Sequence, residues 1–210
     1  HGCQQAFLES ALDDHESECI YRLLQCPMVD PYLNMERHCK KRFAFKDAYD
    51  HYKQHDAGLI KCPNKSRRVE IMQDPEVLED LDGCTLTMNG NGIEIEYDGR
   101  IFICEGLCFK GIVYCWVYFF GSPNEAKRYS VTMKFYGAKT TANFKIPVVP
   151  IEEFFHDFVK AGKCFAIPQE VFKAQFVNED CQFEYSLEIK NLKREFKDEN
   201  CESGVSDIDE

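Results

Sequence analysis

Short apolar runs separated by turn residues fill the chain from residue 83 onward. In these runs β-branched and aromatic residues alternate with polar ones, or follow one another over four to eight positions. Both patterns are typical of β-strands. The predicted strands are 83–88, 93–97, 101–104, 113–120, 129–136, 141–146 and 183–189. Short strands at this spacing predict a mainly β fold with an antiparallel β-sandwich.

Turn and helix signals divide these strands. Asn89-Gly90-Asn91-Gly92 and Asp98-Gly99 are typical of tight hairpins, because the central residues of such turns need positive φ. Residues 151–158 carry apolar side chains at 151, 154, 155 and 158, a spacing that predicts a short helix. Pro75 is placed to start a helical turn over 76–80. Residues 163–165 and 168–172 are expected to lead into the last strand.

The first 60 residues hold too little apolar material to fold on core burial alone. Residues 6–20 and 46–55 each place apolar residues ahead of a histidine, which predicts a short strand or turn that leads into a helix. This region needs another source of stability.

Cysteines and histidines that could bind a stabilising metal ion recur in this region at the same spacing twice. The pattern Cys3-x11-His15-x3-Cys19 returns 36 residues later as Cys39-x11-His51-x3-His55. A His-x3-Cys or His-x3-His pair lies one helical turn apart on one face, where a single tetrahedral Zn²⁺ ion reaches both side chains. The repeat therefore predicts two structural zinc sites.

A closed structural site needs four ligands. In the second site Cys26, which stands in a Cys-Pro turn, completes the set with Cys39, His51 and His55. His38 is the alternative to Cys26, but its adjacency to Cys39 makes ligation by both residues awkward. The first site has Cys3, His15 and Cys19, and its fourth ligand is expected a few residues before Cys3. We therefore expect this chain to come from the middle of a larger protein.

The charge distribution argues against nucleic acid as a partner. The chain has 210 residues and a net charge of −11, and residues 70–210 hold 26 acids against 14 bases. Surfaces that bind nucleic acid show the opposite bias. The most basic stretch, which contains Lys40, Lys41, Arg42 and Lys46, is interpreted as a solvated loop.

Composition and segment boundaries complete the prediction. Twelve cysteines interleaved with histidine at metal spacing favour a reducing compartment, the cytoplasm or the nucleus. No apolar run approaches the ~18 residues of a membrane helix, so no membrane partner is expected. The predicted organisation is a double zinc finger at 1–62, a linker at 63–80, the sandwich at 81–192 and an acidic, disordered tail at 193–210.

Two zinc fingers followed by a sandwich resemble the seven in absentia (SIAH) family of ubiquitin ligases. The resemblance covers nearly all of residues 1–190. It is carried by Gly2-Cys3-x11-His15-x3-Cys19 with Cys26-Pro27, by VYFFGS at 117–122 with AKRY at 126–129 and VTMKF at 131–135, by GKCFAIP at 162–168 and by FEYSLEI at 183–189. The last two segments are similar to the end of a TRAF-type sandwich.

The resemblance implies a function in protein recognition. In that family a TRAF-like sandwich forms a homodimer and captures substrates or adaptors through short extended peptides, while a RING recruits the ubiquitin-conjugating enzyme. The RING is then expected outside these residues, and this chain is expected to be the non-catalytic recognition region of a RING-type E3 ligase in ubiquitin-dependent degradation. The alternative is a RING-less TRAF-like scaffold that dimerises and bridges partners.

Departures from the family concern the peptide edge and one loop. The candidate peptide-binding residues are Glu94, Ile95, Glu96 and Tyr97. Two carboxylates on one strand face favour a basic peptide, since side-chain pockets and their charge set specificity in strand addition. The alternative is that both carboxylates face solvent and protect the edge from aggregation. The long gap between Cys26 and Cys39 predicts an extended loop at 28–37, and the cysteines outside the zinc sites, including Cys104 and Cys108, are expected to be plain thiols.

Overall fold

The computed structural model describes residues 2–5, 9–26, 39, 41–55, 60–61, 68–73, 92–137, 140–178 and 183–193. The strands in these residues are β1 (Leu23–Gln25), β2 (Arg42–Ala44), β3 (Ile60–Lys61), β4 (Arg68–Gln73), β5 (Ile93–Tyr97), β6 (Arg100–Phe109), β7 (Ile112–Phe119), β8 (Tyr129–Tyr136), β9 (Thr141–Pro147), β10 (Val149–Pro150), β11 (Phe165–Pro168) and β12 (Phe183–Asn191). The α-helices are α1 (Leu12–Glu18), α2 (Ala48–His55), α3 (Pro123–Ala126), α4 (Phe155–Lys160) and α5 (Gln169–Phe176). Short 3-10 turns, Glu9–Ala11 and Phe45–Asp47, lead into α1 and α2.

Two sheets pack face to face, which confirms the predicted mainly β, largely antiparallel fold. The larger sheet has the order β10-β7-β6-β5-β3, with β11 also paired to β7, and the smaller has the order β4-β12-β8-β9. All pairs are antiparallel except β10 with β7 and β3 with β5. A separate hairpin of β1 and β2 lies within residues 2–55, called the metal-binding region because they carry the predicted zinc ligands.

The sandwich core lies between the inner faces of the two sheets. Val117 and Phe119 of β7 meet Val131, Met133 and Phe135 of β8, and all five are fully buried. Each large apolar side chain removed from water in this way stabilises the fold by about 1.5–3 kcal/mol. The alternation of inward apolar residues explains why the predicted limits of β5 and β8 coincide with the observed ones.

Most of β6 and β7 in the larger sheet is buried on both faces, which sequence alternation did not predict. Its outer face carries Trp116 and Tyr118 of β7. Tyr118 meets Tyr52 of α2 edge-on, and the rings of Trp116 and Tyr118 both pack against Phe158 of α4. A strand buried on both sides is apolar at nearly every position. The run 113–119 is therefore continuous because it serves two cores.

Two tight turns connect β5 to β6 and β6 to β7. Asp98 and Gly99 have φ of 56° and 67°, and Lys110 and Gly111 have φ of 51° and 72°. Positive φ at both central residues is the condition for the turn that matches strand twist. The first turn was predicted; the second joins a strand that extends to Phe109, beyond the predicted limit of 104.

Other segments also differ from the sequence prediction. Arg68–Gln73, within the predicted linker 63–80, forms β4 and pairs with β12. Residues 165–176 form a strand and the helix α5, where only a lead into the last strand was expected. The predicted helix 151–158 corresponds to α4, displaced toward the C-terminus. The predictions for 28–37, 76–80, 83–88 and 194–210 lie outside the described residues.

No helix among the described ranges has both the length and the apolar character needed to cross a bilayer.

Candidate metal centres and their joint with the sandwich

The second predicted ligand set comes together at the hairpin of β1 and β2 and the helix α2. Cys26 follows β1, Cys39 lies ahead of β2, and His51 and His55 stand one turn apart on α2. One ligand atom from each of the four lies within 4.8 Å of the others. Cys26 is fully buried and His51 is 7% exposed.

The spacing of these atoms fits a tetrahedral zinc ion. Zinc–sulfur and zinc–nitrogen bonds of about 2.3 and 2.05 Å place two tetrahedral nitrogens about 3.3 Å apart and a sulfur and a nitrogen about 3.6 Å apart. His51 Nε2 and His55 Nε2 are 3.2 Å apart. Cys26 Sγ lies 3.5 Å from His55 Nε2, and Cys39 Sγ lies 3.5 Å from His51 Nε2. The set can therefore hold a metal ion, and its soft donors are consistent with zinc.

The surroundings of His51 favour the neutral imidazole that a metal needs. Burial lowers the pKa of His51, and the positive charges of His55 and Lys41 lower it further. The ring also lies against Phe43, with 4.2 Å between the ring centroids. A neutral ring held at one orientation presents its nitrogen to the metal without first losing a proton.

The first predicted set is also gathered, with three ligands among the described residues. Cys3 Sγ lies 3.3 Å from His15 Nε2, and Cys19 completes a cluster within 4.8 Å. His15 is on α1 and Cys19 caps its C-terminal end. This set is consistent with a second metal ion.

Two tyrosines of α2 join the second metal centre to the larger sheet. The hydroxyl of Tyr49 donates to Glu94 of β5, and that of Tyr52 donates to Glu105 of β6. Burial and the contact with Glu94 raise the pKa of Tyr49, so its phenol stays a donor at neutral pH. Both tyrosine rings meet the ring of Phe120 edge-on. His51 and Tyr52 are adjacent, so metal binding and sheet contact belong to one helix.

Glu105 is an acidic residue inside the contact between α2 and the larger sheet, which is called the joint. Its carboxyl group lies deep among protein atoms, although the residue as a whole keeps some accessible surface. Burial raises the pKa of Glu105 to about 8. Gly92 lies directly beside it, and a Cβ at that position would clash with Glu105 Oε1.

A second joint forms between the first metal-binding segment and the sandwich. Arg22 donates from Nε and Nη2 to one oxygen of Glu152, at 3.1 and 2.8 Å, and its guanidinium lies 3.9 Å from the centre of the Phe45 ring. Asn124 Nδ2 donates to Glu18 Oε1 of α1 at 2.7 Å. These contacts attach the metal-binding region to the β-sandwich.

Replacing Arg22 with alanine should lower the free energy of unfolding by about 1–2 kcal/mol, because it removes a charge-assisted contact and a stacked cation. Urea unfolding followed by circular dichroism would measure the change. Lys127→Ala, which removes an exposed contact to Asn124, is the control and should stay within about 0.5 kcal/mol. Equal losses in the two variants would contradict a specific role for Arg22.

The predicted peptide-binding residues do not form a free acidic edge. Ile93 and Glu94 already pair with β3, and the Glu94 carboxylate is bonded to Tyr49. Ile95 is 1% exposed in the sandwich core. Tyr97 packs near Tyr129, and Glu96 is exposed. Glu94 is therefore used inside the molecule, and the expectation that Glu94 and Glu96 together attract a basic peptide stays a prediction.

Sequence reasoning missed Tyr49, Tyr52 and Glu105 as residues of the joint. A carboxylate in the middle of the apolar run of β6 was the available signal. Tyrosines three residues apart on the helix that carries the histidines were the other signal, since such positions share a face.

The cysteines of the sandwich take no part in the metal clusters of the described residues. Cys104 is fully buried, and burial raises the pKa of its thiol to about 12. The Cys108 thiol donates to Gln169 Oε1 at 3.3 Å. Both cysteines lie in the sandwich core, and the expectation that they are plain thiols stays a prediction.

The described residues define a class of protein in which Cys/His clusters that can hold metal are fixed against a β-sandwich. Over 52 residues the chain is 38% identical to the E3 ubiquitin-protein ligase SINA-like 8 of Arabidopsis thaliana. The matched stretch is 25% of this chain and spans only 17% of that relative's length. No protein-family model matches the chain.

Proposed function

We propose that this chain is the substrate- or adaptor-recognition region of a SIAH-like RING E3 ubiquitin ligase. The observation that carries the proposal is the cluster of Cys26, Cys39, His51 and His55 on a helix joined to a β-sandwich. The partial similarity to a SINA-like ligase supports the same assignment. The sandwich is TRAF-like in this proposal.

Zinc has a structural role in this proposal. Four protein ligands occupy every position of a tetrahedral ion, so the second site leaves none for water or substrate. Bound zinc would fix α2 against β1 and β2, and the free energy of metal binding would become folding free energy. Cys3, His15 and Cys19 would hold the ion of the first site.

The partners follow from a recognition function. Protein substrates or adaptors would bind the sandwich as short extended peptides, and two copies would form a homodimer. The conjugating enzyme would bind a RING that is not part of these residues. The protein would act in a reducing compartment, the cytoplasm or the nucleus, where cysteines stay available as metal ligands.

Autoubiquitination of the complete gene product tests the ligase assignment. The full-length protein, incubated with activating enzyme, conjugating enzymes and ubiquitin, should modify itself, and the isolated chain 1–210 should not. Zinc content measured on the same sample shows that the protein is intact. Persistent inactivity with intact zinc would overturn the ligase assignment and favour the RING-less scaffold.

A further inference from the structure

A cleft of about 400 Å³ opens at one end of the sandwich, and none of the residues that line it belongs to either Cys/His cluster. The turn between β5 and β6, the segment after α3 and the end of β12 form its walls. The charged and aromatic side chains that line it are Asp98, Arg100, Glu125, Arg128, Tyr129 and Lys193. Its volume lies within the usual range of ligand sites.

The walls of this cleft are fixed by hydrogen bonds. Ser122 and Glu125 form a reciprocal capping box at the start of α3. The backbone N–H of Leu192 donates to the carbonyl of Arg128 at 2.7 Å, which ties the end of β12 to the segment after α3. A cleft held in this way needs little reordering to bind a ligand.

The acidic side chains of the cleft already have partners. Asp98 Oδ2 accepts from Asn191 Nδ2 at 3.0 Å. Glu125 Oε1 accepts from Arg100, and its other oxygen accepts from the backbone of Ser122 at 3.3 Å. Neither acid therefore needs a cation from a ligand.

Two cations of the cleft remain for a ligand. Neither Arg128 nor Lys193 has a carboxylate within ion-pairing distance in the part of the chain that the structure describes. With Arg100 the cleft holds three cations against two acids, in a chain whose net charge is −11. Burial and, to a smaller extent, the charge of Asp98 raise the pKa of Tyr129. Its phenol therefore stays protonated and lines the cleft as an uncharged group.

We propose that this cleft binds an acidic peptide segment, whose carboxylates pair with Arg128 and Lys193. The planar guanidinium of Arg128 can donate two parallel hydrogen bonds to one carboxylate, and the Lys193 ammonium attracts a second. The proposal does not depend on the ligase assignment.

The acidic segment has two sources. One is this chain itself, because residues 198–210 hold six acids and no base and begin five residues after Lys193. Five extended residues reach about 17 Å, which is sufficient for the chain to return to a cleft that Lys193 itself lines. The other source is an acidic segment of another protein.

Fluorescence anisotropy with a labelled peptide of sequence ESGVSDIDE, residues 202–210, tests the proposal. The protein is the full chain in which the six acids of 198–210 are replaced by their amides, so that its own segment cannot compete. Arg128→Glu and Lys193→Glu are made in this background. Lys145→Glu, an equal charge change at an exposed position of β9, is the matched control. Circular dichroism checks that each variant is folded.

The probe should bind the tail-neutralised chain. Its affinity should fall about tenfold after Arg128→Glu or Lys193→Glu and change by less than about twofold after Lys145→Glu. If the probe binds the wild-type chain more weakly than the tail-neutralised chain, the chain's own acidic segment is the occupant of the cleft. If it binds both equally, the occupant is an acidic segment of another protein. Absence of binding, or equal weakening by Lys145→Glu, would overturn the proposal.

Discussion

Glu105→Gln should stabilise the protein at pH 7 by about 2 kcal/mol. The pKa of Glu105 is raised by burial from 4.5 to about 8, so the folded state keeps a proton that the unfolded chain releases. For each pH unit from 4.5 up to pH 7, keeping this proton lowers the free energy of unfolding by at most about 1.4 kcal/mol. Water at the accessible part of Glu105 reduces that loss. Glutamine needs no proton, and its oxygen still accepts from Tyr52.

The sign of this effect gives a second observable. A raised carboxyl pKa makes the folded state bind more protons than the unfolded state between pH 4.5 and about 8, so wild-type stability falls as pH rises through this window. The advantage of Glu105→Gln should therefore grow by up to about 1 kcal/mol per pH unit between pH 6 and 7.5. Protonation of the metal ligands affects both proteins equally and cancels in the difference.

Urea unfolding at several pH values, with equal zinc in every sample, measures both quantities. Glu96→Gln, on the neighbouring strand and exposed, is the control and should change stability by less than about 0.5 kcal/mol at every pH. A destabilised Glu105→Gln variant, or a difference that does not vary with pH, would contradict this account of the joint.

His51→Ala should release one zinc ion per chain and detach α2 from the sandwich. The variant lacks a ligand of the second centre, and structural zinc contributes about 10 kcal/mol or more to the folding of small metal-bound units. Tyr52 then leaves the face of the sheet on which Trp116 and Tyr118 lie. The sandwich itself should stay folded, because its inner core contains no residue of α2.

Zinc analysis and fluorescence report separately on the metal and on the joint. Trp116 is the single tryptophan of the chain and is 7% exposed, so a red shift of its emission would report opening of the joint. His156→Ala, a histidine outside both clusters, should change neither the zinc content nor the emission. An unchanged zinc content in His51→Ala would show that this histidine is not a ligand.

Local patterns predicted the features that depend on neighbouring residues. The alternation in β5 and β8 gave their limits, because one face of each strand lies in the sandwich core. The spacing of His51 and His55 predicted their approach, since α2 places them one turn apart. Cys26 was predicted as a ligand from the turn signal of Cys26-Pro27 and from its spacing along the sequence from Cys39.

Features that depend on distant residues were not predictable in the same way. Tyr52 and Glu105 are separated by 53 positions, and their meeting depends on how α2 packs on the sheet. The turn at Lys110 was overlooked because lysine seldom adopts positive φ, and Gly111 alone is a weak signal. Glu94 was interpreted as a surface charge because nothing in its own strand indicates that Tyr49 covers it.

Strand β7, which pairs with β6, β10 and β11, contributes successive residues to two different cores. Cys115, Val117 and Phe119 belong to the sandwich core, while Trp116 and Tyr118 belong to the core on the outer face, which residues of α2 and α4 complete. A shift of pairing by a single residue would exchange the two sets, putting the indole into a space shaped for valine. An insertion or deletion in this strand would therefore disrupt the sandwich core and the surface on which α2 packs at the same time. Evolutionary changes in one core must then be compatible with the other.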